Sequence, residues 1–330
     1  MQTRPLLVAV LVTALLASAL AIPAARHAVG DAWSAVGPVR SADTSSGTSR
    51  PEAAEVRGTD VEAGARGFTL AAKPVTIDGE TEFAAWALLN RTTGVVQGSS
   101  NLSDTNSTES MIKVWVVADY LRRLGDADPT PELLGQASAA IRDSDNAATE
   151  ALFRLGGGAA VIDRLITMCR LADTHAVIPS GKTTVWWSYT QMSARDAVQM
   201  AECVANGTAA GPRWTEWVLD EMSAVRGTTA AADQHDGYGG GRWGIIDGLP
   251  AELVTQQRIS IKNGWTMLYA DGLWHVNCLA VTTDWALAVL LRYPGTAGLE
   301  HGARLCASVA EQLVTPRDGQ TGGPHGSTVH

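Results

Sequence analysis

The period of the apolar positions changes along this chain, and the changes divide it. The run Glu82-Phe83-Ala84-Ala85-Trp86-Ala87-Leu88-Leu89-Asn90 is followed by Gly94-Val95-Val96-Gln97-Gly98. The polar Arg91-Thr92-Thr93-Gly94 between them ends on a turn glycine, so the pair predicts a β-hairpin. A helical period then takes over and predicts helices at 110–124, 131–142, 145–155, 158–171, 193–206 and 212–225. Beyond Gly239-Gly240-Gly241 the runs 258–262, 273–281 and 285–293 are strand-like, separated by Gly, Asp and Thr turns, and an amphipathic helix covers about 297–314.

Strands that open and close a domain around a helical middle imply an α+β fold. The expected architecture is an antiparallel five-stranded sheet flanked by helices, with a mostly helical subdomain inserted. The early hairpin joins the late strands, and a site is expected at the seam of the two parts.

The flanks differ in character. Arg4 precedes an almost unbroken apolar run from Leu6 to Leu20, and Ala19-Leu20-Ala21 offers small residues for cleavage. Residues 1–22 therefore read as a secretory signal peptide, with an uncleaved anchor as the alternative. Residues 23–66 are rich in Ala, Gly, Ser and Thr and read as a flexible linker; 316–330 read as a disordered tail. One domain at 67–315 remains. Its expected location is extracytoplasmic, secreted or tethered to the membrane by the N-terminal segment.

Charge and cysteines narrow the chemistry. A net charge of −9 with scattered acids argues against nucleic acid as a partner. Cys169, Cys203, Cys278 and Cys306 form no C-x-x-C, and the histidines sit apart, so neither a metal site nor a cofactor is implied. Outside the cytoplasm, disulfides persist. Of the three pairings that four cysteines allow, Cys169–Cys203 and Cys278–Cys306 join neighbouring segments; buried free thiols are the alternative.

The chain has only four lysines, at 73, 113, 182 and 262, and only Lys113 has a serine three residues before it. Ser110 and Lys113 at the start of an apolar helix would share one face, as a nucleophile and its base require. Ser144-Asp145-Asn146 lies in a short loop between helices, where an N-cap is the plain reading. Lys262-Asn263-Gly264-Trp265 follows a strand, where a solvated lysine and a turn glycine would be unremarked.

In that order, the three elements resemble the S-x-x-K, S-D-N and K-T-G signature of class A β-lactamases and penicillin-binding proteins, over roughly residues 80–314. The resemblance implies that Ser110 is acylated and that Lys113 takes its proton. Ser144 would relay a proton to the leaving nitrogen. Asn146 would hold the substrate amide and orient Lys113. Lys262 would depress the Lys113 pKa and attract a substrate carboxylate, helped by Asn263 and Gly264. The N–H groups of Ser110 and Trp265 would face the developing oxyanion. The implied partner is a small molecule or peptide, a β-lactam or a peptidoglycan stem peptide, and a monomer is expected.

Departures set limits. Asn263 replaces the usual threonine, and the interval from Ser110 to Ser144 is 34 residues, which implies a trimmed cleft wall. The loop 171–189 holds no glutamate to activate water; Asp173 comes early in it, and His175 reads as solvated. Trp186 and Trp187 read as packing residues. Slow deacylation follows, since an acyl-enzyme without a general base hydrolyses slowly. A weak class A-type β-lactamase and a non-catalytic binding or scaffold module that retains the fold are the competing readings.

Overall fold

The computed structural model describes residues 68–70 and 74–316. The expected leader at 1–22, the linker at 23–66 and the tail beyond Pro316 lie outside these residues. In chain order the elements are β1 (Phe68–Leu70), β2 (Phe83–Asn90), β3 (Val96–Gly98), β4 (Thr105–Ser107), α1 (Lys113–Arg123), α2 (Pro131–Arg142), α3 (Asn146–Leu155) and α4 (Ala159–Cys169). They continue as β5 (Gln191–Ser193), α5 (Ala194–Ala205), α6 (Thr215–Ser223), α7 (Ala251–Gln256), β6 (Ser260–Ile261), β7 (Gly264–Leu268), β8 (Leu273–Val281), β9 (Trp285–Pro294), α8 (Leu299–Leu313) and β10 (Val314–Pro316).

The main sheet is antiparallel, in the order β3-β2-β9-β8-β6, with β7 also paired to β8. β6 and β7 are two halves of one edge column, interrupted at Lys262-Asn263, so the sheet has the five columns expected. The hairpin β2–β3 lies beside β9, with Leu88 opposite Leu287, so an early strand and a late strand of the chain meet in the main sheet.

Both faces of the centre are covered, which is why β8 and β9 are buried almost throughout and do not alternate. Successive residues on a strand point to opposite faces. Cys278 faces α8 and is bonded to Cys306, while Asn277 on the other face donates to the carbonyls of Ser107 and Thr108 at 2.8 and 3.2 Å. The second disulfide, Cys169–Cys203, ties α4 to α5. α1 is buried all round from Val114 to Leu121 and runs through the middle of the helical body. Its one buried acid, Asp119, accepts from Arg164 at 2.8 and 2.5 Å and from Arg122 at 2.8 Å. A charge so enclosed persists because it is paired.

The structure differs from expectation in its short elements. The helix expected from 110 opens as a 3-10 turn over Glu109–Ile112. The strand expected at 258–262 ends at Ile261, and β7 lies beyond the break. Pro316, assigned to the tail, pairs with Phe68 in a two-stranded sheet of β1 and β10. β4, β5 and α7 are additional, each too short to show a period in sequence.

Candidate active site

The site is assembled at the seam of sheet and helical body. Asn106 on β4 donates to Asn277 Oδ1 (3.0 Å) and to the Leu291 carbonyl (3.2 Å). Asn277 in turn holds the carbonyls of residues 107 and 108, and Thr108 N–H donates to the Thr190 carbonyl at 2.8 Å. These buried amide contacts fix the turn that presents Ser110. Glu109 takes a φ of +47°, a left-handed conformation that costs an ordinary side chain energy.

Gly264 sits against the same turn. A Cβ there would lie 2.5 Å from Met111 N and Thr108 O and 2.7 Å from Ser110 N. Only glycine permits β7 to approach the nucleophile so closely. Ser110 lines a cavity of about 460 Å³ together with Ser144, Asn146, Trp187 and Trp265. That volume suits a small ligand. Among the described residues Ser110 Oγ has no hydrogen-bond partner.

Beneath it, both lysines are 0% exposed. Lys113 Nζ donates to Ser144 O (2.5 Å), Asn146 Oδ1 (2.7 Å) and Ser144 Oγ (3.3 Å). Lys262 Nζ donates to Ser144 Oγ at 2.9 Å. Ser144 holds a φ of +54°. Asp145 caps α3 through Ala148 N–H at 2.7 Å, and Asp143 pairs with Arg226 at 2.6 and 2.7 Å. The capping reading of this loop holds for Asp145, while its neighbours face the lysines.

Burial, then the repulsion of Lys262, hold the Lys113 pKa well below that of an ordinary lysine, against the pull of Asp145 and Glu109. Burial brings Lys262 down to about 7, with Asp143 opposing. A buried amine whose pKa is depressed is neutral for more of the time and can act as a base.

Asn263 requires a correction. It is 1% exposed, donates to the carbonyls of Gly241 (3.0 Å) and Trp243 (2.7 Å), and accepts from Leu279 N–H (3.3 Å). Its side chain is a strut between β7, β8 and the 241–243 segment, not a contact for substrate. Trp265 does line the cavity, held by Gln234 Oε1 at 2.9 Å and edge-on against Trp243. Asn146 lies at the rim, its N–H donating to the Gly237 carbonyl at 2.8 Å.

The tryptophans of the 171–189 loop pack and line at once. Trp187 is buried, donates to Glu150 Oε2 at 3.2 Å and has Lys113 Nζ 5.0 Å from its ring centroid; Trp186 is 42% exposed on the cavity wall. Asp173 is bound to Arg195 and Ser193 and His175 is exposed; neither lines the cavity.

Sequence reading missed Glu109. It lines the cavity and its carboxyl is buried, with Oε1 2.7 Å from Ser107 Oγ and Oε2 2.8 Å from Thr266 Oγ1. Burial pushes its pKa up to about 7, against the opposing pull of those hydrogen bonds and of Lys113. The one sequence signal was an acid directly before the serine.

A family model described as the Beta-lactamase enzyme family matches residues 127–232. Among solved structures, a β-lactamase from Streptosporangium roseum is 16% identical with a TM-score of 0.52, covering 70% of this chain and 91% of its own. A β-lactamase from Xanthomonas campestris pv. campestris is 16% identical with a TM-score of 0.52, covering 71% and 92%. A structure described as PBP-A is 16% identical with a TM-score of 0.51, covering 71% and 91%. No curated protein matches by sequence. The fold is that of the class A β-lactamases and penicillin-binding proteins.

Proposed function

We propose that this chain, built on the β-lactamase and penicillin-binding fold, is an extracytoplasmic serine hydrolase that forms an acyl-enzyme at Ser110. The carrying observation is the hydrogen-bonded line Lys113–Ser144–Lys262 beneath a serine that opens into a cavity. A neutral Lys113 takes the Ser110 proton as the hydroxyl attacks a carbonyl carbon. Ser144, backed by Lys262, gives a proton to the leaving nitrogen. Ser110 N–H and Trp265 N–H are the proposed oxyanion donors.

The substrate class is a β-lactam or a D-alanyl cell-wall peptide. Lys262 meets a substrate carboxylate only through Ser144, since it is enclosed, and this weakens charge recognition compared with an exposed lysine. Two disulfides support placement outside the cytoplasm, either secreted or tethered by the N-terminal segment. The loop 171–189 supplies no carboxylate at the cavity, so hydrolysis of the acyl-enzyme is slow.

Labelling with a fluorescent penicillin, followed over time by gel and mass spectrometry, tests the reading. A persistent adduct supports slow deacylation, and rapid loss points to a true β-lactamase. No labelling of either wild type or Ser110→Ala would leave a binding module as the better description.

A further inference from the structure

The mechanism leaves one buried cluster unused. His275 Nε2 lies 2.8 Å from Asp271 Oδ2, and His275 Nδ1 lies 2.8 Å from Ser107 Oγ. Ser107 Oγ lies 2.7 Å from Glu109 Oε1, and Thr266 Oγ1 lies 2.8 Å from Oε2 and 2.6 Å from the Trp265 carbonyl. The line runs from the partly exposed Asp271 at the head of β8 to Glu109, which lines the cavity and directly precedes Ser110 in the chain.

Its protons can be counted. The Asp271 carboxylate only accepts, so His275 Nε2 carries a hydrogen. Ser107 has a single hydroxyl hydrogen but two polar neighbours, so both contacts are hydrogen bonds only while one neighbour donates to it, which holds until the shared proton is lost to solvent at higher pH. Either Glu109 is protonated and His275 neutral, or His275 is an imidazolium and Glu109 a carboxylate. One proton is thus shared between two ends, passed through a hydroxyl.

Resting on the acyl-serine reading above, we propose that Glu109 is the base that clears the Ser110 acyl-enzyme, armed when its proton passes through Ser107 to His275 and is held there by Asp271. The Glu109 carboxylate takes a proton from water as the water oxygen bonds to the ester carbonyl carbon. As the tetrahedral species collapses, the bond from carbon to Ser110 Oγ breaks and Glu109 returns that proton to Oγ. Free acid and free serine result, and Glu109 is again a carboxylate. Ser107, His275 and Asp271 act through Glu109 as positioning residues.

Glu150, Asp236 and His235 also line the cavity; Glu150, on the wall with Trp187, has its oxygens taken by Arg154 Nε at 2.7 Å and Trp187 Nε1 at 3.2 Å. The carboxyl of Glu109 contacts only hydroxyls among the described residues, with Lys113 as its nearby cation. Burial lowers His275 more than Asp271 supports it, with Arg292 across the sheet opposing its charge. Both ends therefore favour the neutral pair at rest, so the armed state is the minor one and turnover through it is slow.

The test follows burst and adduct decay with a chromogenic β-lactam on the full chain from pH 5 to 9. Glu109→Gln should keep its burst amplitude, which reports an intact site, and lose adduct decay by about 100-fold or more. Ser107→Ala and His275→Gln should keep the burst, slow decay by about tenfold and move the pH midpoint of decay. Unchanged decay and pH profile in Glu109→Gln with a normal burst overturns this proposal alone, as does decay that is lost in Glu150→Gln but kept in Glu109→Gln. Absence of any adduct on wild type overturns the acyl-serine reading, and this proposal with it.

Discussion

Lys262 Nζ donates to Ser144 Oγ at 2.9 Å from a position with no exposure to solvent. The second cation of the site therefore acts through a hydroxyl, and it sets the charge state of Lys113 on the far side of that hydroxyl. Burial comes first among the causes that depress Lys113, and Lys262 comes second. Lys262→Met should raise the Lys113 pKa, so that less neutral amine is present at pH 7. Acylation should slow by about 10- to 100-fold, and its acidic limb should move to higher pH. Acylation rates measured from pH 5 to 10 check this; an unshifted limb would remove Lys262 from the role.

Glu109 also makes stability depend on pH. Its folded pKa, about 7, lies above the ordinary 4.5 because of burial. The folded state then binds more protons than the unfolded state between those values, so stability falls as pH rises from 4.5 to 7. The loss is on the order of 3 kcal/mol. Glu109→Gln should be more stable than wild type at pH 8 and show a flatter profile from pH 5 to 7 in urea unfolding. Lys262 has the opposite sign: its pKa is depressed, so stability rises with pH from 7 towards 10.5.

Gly264→Ala should be severe for a substitution of one methyl group. The added Cβ meets backbone atoms of Thr108, Ser110 and Met111, which cannot swing aside as a side chain can. The turn bearing Ser110 must move, and a displacement of about 1 Å at a reacting group costs about 100-fold. Acylation rate and circular dichroism together read this out: the loss should appear in the rate with the folded spectrum retained.

The bond Cys278–Cys306 ties the inner strand β8 to α8 across a sequence separation of 28. Replacing both cysteines by alanine should lower stability by about 3 kcal/mol, the size expected for closing a loop of this length. Thermal unfolding with and without the bond checks it, and a change well under 1 kcal/mol would contradict it.

How much was legible follows from where the information lies. Ser110, Ser144 and Lys262 stand at element boundaries with recognisable neighbours, and long elements such as α2 and β9 carry enough residues to show their period. β4 and β5 have three residues each, too few for alternation to register. β7 escaped because Lys262-Asn263 interrupts its column, and the break separates it from β6. The inward turn of Asn263 was illegible because its acceptors, the carbonyls of Gly241 and Trp243, come from a loop with no pattern. Glu109 was hidden for a related reason. Its character comes from Ser107, Thr266 and His275, which lie up to 168 residues apart along the line of contacts.

Whether Ser110 is the acylated residue is settled most directly by intact mass and peptide mapping after incubation with a β-lactam probe. Wild type should gain one probe mass, located on the peptide containing Ser110, and Ser110→Ala should gain none. An adduct on another residue, or an equal mass gain in Ser110→Ala, would contradict the assignment of Ser110 as nucleophile.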